Sequence, residues 1–136
     1  MKNKSLQIYT DGGARGNPGP AACGVVIKDG SGQPIAKASR YLGETTNNQA
    51  EYQGVILALE KIAAYVPEEI DFYLDSQLVV SQLSGSFKVK DLGLQSLFVR
   101  VWNLSHKFKK IRYHHIPREM NKEADRLVNL ELDKKR

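Results

Sequence analysis

The sequence predicts an α/β domain in which a mixed β-sheet is covered by helices. Three features of the 136 residues lead there. The first part holds three strand-like runs broken by glycine- and proline-rich turns, and the middle holds one long stretch of helical apolar spacing. The remainder alternates short strands with helices, an order that implies antiparallel and parallel pairing in one sheet.

In "SLQIYTD" (5–11), Leu6, Ile8 and Thr10 alternate with Ser5, Gln7, Tyr9 and Asp11, the period of a strand that Asp11 ends. "ACGVVIK" (22–28) and "PIAKASRYL" (34–42) follow around the turn "DGSGQ", and the three form an antiparallel meander. Across "NNQAEYQGVILALEKIAAYV" (47–66), Val55, Ala58, Leu59, Ile62 and Val66 recur at helical spacing until Pro67 closes the helix. "IDFYLD" (70–75) is a short strand. "SQLVVSQLSG" (76–85) is a helix with Ser76 as its cap and Gly85 at its end. "LGLQSLFVRVWNLSHKF" (92–108) makes a third helix, "IRYHHI" (111–116) a strand stopped by Pro117, and "NKEADRLVNLEL" (121–132) a last helix capped by Asn121. No repeat or low-complexity tract interrupts residues 1–136, which are expected to form a single domain.

Composition narrows the class. With 41% hydrophobic and 26% charged residues the chain can bury a core, and its single cysteine, Cys23, rules out an intramolecular disulfide and suits a reducing compartment. "MKNKSLQIYT" lacks the apolar stretch of a signal peptide, and nowhere do 18 apolar residues run together, so a soluble, cytoplasmic protein is expected. Of the net charge of +5, much lies between Lys88 and Arg112, where seven basic residues face one acid, Asp91. That run is either a footprint for a polyanion or a solvated helix face. Phe98 and Trp102 share a helix with Leu94, Leu97, Val101 and Phe108, so core packing is expected for both, and Cys23 reads as a small buried hydrophobe.

Four acids stand out. Glu51, in the first helical turn, is in line with Val55, Ala58, Leu59 and Ile62, and Asp125 shares a stripe with Val128 and Leu132. Asp11 and Asp75 each end a strand. A lone carboxylate facing a core is costly, so such acids are paired or bound to metal. Singly, each also fits a cap, a turn or a surface pair such as Asp125 with Arg126 or Lys122. Jointly they supply what a hard cation requires, oxygen ligands on rigid elements with open positions.

The blocks "YTDGGARGNPGPAACGVVI", "TTNNQAEYQGVILAL", "LDSQLVVSQLSG" and "NKEADRLVN" together resemble type 1 ribonuclease H, each with its acid in place and in order, over nearly the whole chain. The connection after "SQLSG" is short, which resembles the compact stand-alone form, so no additional hybrid-binding domain is expected before the first block. The resemblance implies a ribonuclease H-like fold with a five-stranded mixed sheet, strands 1–3 antiparallel and 4–5 parallel, flanked by helices. It also implies cleavage of the RNA strand of RNA/DNA hybrids, leaving 5′-phosphate and 3′-hydroxyl ends; nothing in the sequence suggests more than a monomer. The implied cofactor is a pair of Mg2+ ions, with Mn2+ as a possible substitute, held by Asp11, Glu51, Asp75 and Asp125, with Asp11 shared between the ions.

The glycine-rich segment after Asp11 then has a purpose. Telling RNA from DNA requires backbone groups close to the 2′-hydroxyl, and glycine permits that approach. By similarity Gly12, Gly13, Gly16 and Asn17 follow the RNA strand, Asn47, Asn48 and Gln77 contact the groove, and Thr46 holds a phosphate of the DNA strand. The plain reading of "TTNN" is a helix cap. The family's mobile-loop histidine has no clear match: counting back from Asp125 gives His115, on a strand before Pro117, while Arg118 or Glu119 is nearer the loop position. Two other classes compete: a catalytically weak hybrid- or duplex-binding module, against which the four intact acids argue, and a nucleotide enzyme using "GGARGNPG" as an anion loop. The latter lacks the phosphate-loop lysine pattern and a helix directly after the loop.

Overall fold

A computed structural model describes residues 4–135. It begins with the meander: β1 (Ser5–Ala14), β2 (Gly19–Asp29) and β3 (Pro34–Thr45) pair antiparallel in order. Helix α1 (Asn47–Ile62) leads through a 3-10 turn at Ala63–Tyr65 to β4 (Glu69–Leu74), which pairs parallel with β1. Helices α2 (Gln77–Leu83) and α3 (Leu92–Ser105) cross to β5 (Lys110–His115), parallel to β4, and a 3-10 turn at Arg118–Met120 enters α4 (Lys122–Lys134). The sheet is five-stranded and mixed, in the order β3-β2-β1-β4-β5. Among the described residues no helix is long and apolar enough to cross a membrane.

β2 lies between two helical layers, which explains its unbroken apolar run. On one face Leu6, Ile8, Val25, Ile27, Phe72 and Leu74 pack with Tyr52, Val55, Ile56, Leu59 and Ile62 of α1 in the main core. Full burial of such a side chain contributes roughly 1.5–3 kcal/mol. On the other face α4 sets Val128 and Leu132 against Ala22. Gly24 allows that seat, because a Cβ there would stand 2.7 Å from the Ala124 carbonyl oxygen. Cys23 is fully buried, and burial pushes its thiol up to about 12. Ser76 caps α2 as expected, its hydroxyl accepting from the Val79 amide at 3.3 Å.

Several local expectations are corrected. β1 does not end at Asp11: its ladder with β2 runs on to Ala14 and Ala21, and only residues 15–18 remain as loop. Val66 leaves the helix with φ 49° and an exposed side chain, because the chain tightens after Ile62 before reaching Pro67. Trp102 is 57% exposed and sits edge-on to His106, while Leu94 and Val101 are buried and Phe98 packs at the core margin. Successive helical residues point about 100° apart, and the core takes Val101 rather than its neighbour. Asn121 precedes α4 without capping it through its side chain, which is engaged elsewhere.

Candidate active site

The parallel pairing of β1 with β4 stops at Tyr9 and Tyr73. Beyond that rung the strands part, and a crevice opens past their carboxyl ends, where parallel sheets place ligands. Asp11 stands just beyond the last shared rung and is 7% exposed. Glu51 reaches the crevice from the second turn of α1 rather than the first, because the helix begins at Asn47. It is 4% exposed, and its Oε1 accepts from the Gly12 amide. Asp75 follows directly on β4, and Asp125 lines the crevice from the first turn of α4.

Ligand oxygens of Asp11, Glu51 and Asp75 lie within 4.8 Å of one another, and Asp125 faces the same space without joining that tightest group. Among the described residues no cation pairs with any of the four, so a surface ion pair does not account for Asp125. Asp11 and Glu51 are therefore buried acids with no ion-paired cation, beside half-buried Asp75 and Asp125. Burial, followed by the charge of Asp75, lifts the Asp11 carboxyl to about 7; Asp125 adds to the rise, and the hydrogen bond with Glu51 offsets part of it. Burial and then the charges of Asp11 and Asp75 hold the Glu51 carboxyl well above its usual range. An all-carboxylate donor set on a strand, a helix and a strand end fits a divalent, oxygen-seeking cation.

The crevice measures about 530 Å3, and Gly12, Gly13, Asn47 and Asn48 line it. Gly16, Asn17, Thr46 and Gln77 stand outside its lining. Asn17 Oδ1 accepts from the Asn47 amide at 2.9 Å, and Asn47 Oδ1 accepts from the Ala14 amide at 2.8 Å, so these side chains knit the β1–β2 turn to α1. Thr46 forms a capping box with Gln49: its hydroxyl accepts from the Gln49 amide at 3.1 Å, and its own amide donates to the Gln49 side chain at 3.4 Å. Gln77 is the exposed first residue of α2.

His115 is exposed at the end of β5 and outside the crevice, whereas Arg118 lines it. In the basic run, Arg100 pairs with Glu60 at 2.8 Å and Arg112 with Asp71 at 2.6 Å, while the five lysines form no ion pair among the described residues. The glycine-rich turn feeds β2, not a helix, which removes the support for an anion loop. Asn121 was not singled out by sequence beyond its capping position, yet it is 1% exposed and touches Asp75.

A family model described as reverse transcriptase-like matches residues 9–131. Ribonuclease HI of Halobacterium salinarum is 43% identical over 128 residues, 94% of this chain and 64% of that protein. The crystal structure of RNase H1 from the same archaeon aligns with a TM-score of 0.92 at 42% identity, covering 96% of this chain and 98% of that one. The chain belongs to the ribonuclease H family. Another ribonuclease H relative, LC11-RNase H1, was solved in complex with an RNA/DNA hybrid; it aligns with a TM-score of 0.91 at 45% identity, over 95% of this chain and 97% of that one. This ribonuclease H chain spans 35% of the length of a 41% identical bifunctional protein of Mycobacterium tuberculosis.

Proposed function

We propose that this chain is a metal-dependent endoribonuclease that hydrolyses the RNA strand of RNA/DNA hybrids and leaves 5′-phosphate and 3′-hydroxyl ends. The observation that carries the proposal is the convergence of Asp11, Glu51 and Asp75 oxygens within 4.8 Å in an open crevice, none of the three in an ion pair among the described residues. The hybrid bound to LC11-RNase H1 supports the choice of substrate.

Asp11, Glu51, Asp75 and Asp125 would hold a pair of Mg2+ ions, or Mn2+ in their place. Such ions supply the charge that activates a water against the scissile phosphate and stabilises the departing oxygen. The chain's own residues do the rest. The Gly12 amide fixes the Glu51 carboxylate, and the low relief of Gly12 and Gly13 admits the sugar edge, where the 2′-hydroxyl separates RNA from DNA. Asn47 and Asn48 line the approach to the groove, and Arg118 brings to the crevice a guanidinium that, unlike that of Arg15, forms no ion pair among the described residues. Gly16 and Asn17 shape the turn beside the RNA strand, while Thr46 and Gln77 meet the hybrid further from the scissile bond. Lys88 and Lys107 hold the DNA backbone, so affinity falls with salt. The unit that acts is a monomer.

The test is a cleavage comparison on matched RNA/DNA, RNA/RNA and DNA/DNA duplexes across a Mg2+ titration. Cutting confined to the RNA of the hybrid and abolished by EDTA is expected. Tight hybrid binding with no cleavage in Mg2+ or Mn2+ would favour the binding-module reading.

A further inference from the structure

One side chain fills the gap where β1 and β4 part. Asn121 is 1% exposed, and its Nδ2 donates to the Thr10 carbonyl at 2.8 Å and to Asp75 Oδ2 at 3.2 Å. Both partners are acceptors, so the amide has one workable orientation, with its nitrogen in the gap. The Thr10 carbonyl lies one residue beyond the last β1–β4 rung, where no strand amide remains to meet it, and Asn121 takes that place.

The arrangement has two costs. Asn121 Oδ1 is left buried without a partner, and the side chain gives up the cap that its position before α4 would allow. A residue serving only to start α4 would spend its oxygen on a helix amide. This one spends its nitrogen on an acid of the crevice and on the backbone next to a second acid.

We infer that Asn121 is a positioning residue of the acid cluster: it orients the Asp75 carboxylate and locks the start of α4 to β1 beside Asp11. The third connection runs through the backbone, because the Asp125 amide donates to the Asn121 carbonyl at 3.1 Å. The buried side-chain amide thus ties Asp75 to the β1 backbone next to Asp11, while Asp125 is tied to the same residue only through its backbone. The inference rests on the metal-dependent reading of the site, in which Asp75 must present an oxygen toward Asp11 and Glu51. Partners that orient metal-binding carboxylates typically change metal affinity by about 10–100-fold when removed.

The test uses Asn121→Ser, which keeps a hydroxyl able to cap α4 but is too short to span Thr10 and Asp75. Mn2+ is titrated by calorimetry into the wild type and the variant, and thermal unfolding is recorded without metal. The Mn2+ dissociation constant is expected to rise about 10–100-fold, with hybrid cleavage partly restored at high Mn2+. A variant that binds Mn2+ within twofold of wild type overturns the inference, whatever its melting temperature, and leaves the metal site standing. A wild type that binds no Mn2+ overturns the metal reading and the inference with it. A second measurement needs no variant: the Asn121 side-chain amide resonances of the wild type should shift on saturation with Mg2+. Resonances that stay fixed while Mg2+ binds overturn the inference.

Discussion

The Gly12 amide donates to Glu51 Oε1, so the strand that carries Asp11 and the helix that carries the second acid are joined at the acid cluster itself. The joint leaves no room for a side chain: a Cβ on Gly12 would lie 2.2 Å from the Ala50 carbonyl carbon and 2.4 Å from the Glu51 nitrogen. Gly12→Ala must push β1 and α1 apart. Denaturant unfolding should show a loss of about 3 kcal/mol, and hybrid cleavage should fall about 100-fold because the acids no longer meet.

Crowded carboxylates oppose folding when no cation is bound. Asp11→Asn removes one charge and is expected to stabilise the protein in EDTA at pH 8 by roughly 2 kcal/mol, measured by urea unfolding. The same substitution should reduce hybrid cleavage to background. A variant both less stable and fully active would contradict the assignment of Asp11.

The pH dependence carries a definite sign. Folded Asp11 takes up its proton near 7, against an ordinary value of 3.8, so between these values the folded state binds more protons than the unfolded one. Stability from this group is therefore greatest below about pH 4 and declines as pH rises to about 7; Glu51 acts in the same direction. Asp71, held down to about 2 chiefly by its hydrogen bond with Arg112, works the opposite way but only in more acidic solution. Added Mg2+ replaces the missing positive charge, so the melting temperature should gain more from Mg2+ at pH 8 than at pH 5.

Arg118 and His115 should separate cleanly. Arg118 lines the crevice and His115 does not. Arg118→Ala is expected to lower kcat/KM by about 10–100-fold through lost charge stabilisation, and His115→Ala to leave it within about twofold. Both sites are exposed, so unfolding energies should move by no more than about 0.5 kcal/mol.

The fold was legible because its signals are local: alternation in β1 and β5, helical spacing in α1, and Ser76 before α2. The acids were legible because polar residues on apolar stripes violate the pattern around them, as Glu51 and Asp125 do. Asn121 was not, since its partners lie 111 and 46 residues away in sequence and nothing nearby distinguishes it from a helix cap. Asn17 and Asn47 carried the reverse difficulty. Their oxygens bind backbone amides of the chain itself, a use that the glycine-rich composition around them does not reveal. Trp102 misled because a helical stripe is broad, and one step in register decides between core and solvent.

The central claim is that Asp11, Glu51 and Asp75 form a divalent-cation site, and anomalous diffraction from crystals grown with Mn2+ tests it most directly. Anomalous density bounded by the oxygens of these three residues, and lost in Asp11→Asn crystals, is the predicted result. Mn2+ bound only at other carboxylates, with this crevice empty at saturating concentration, would contradict it.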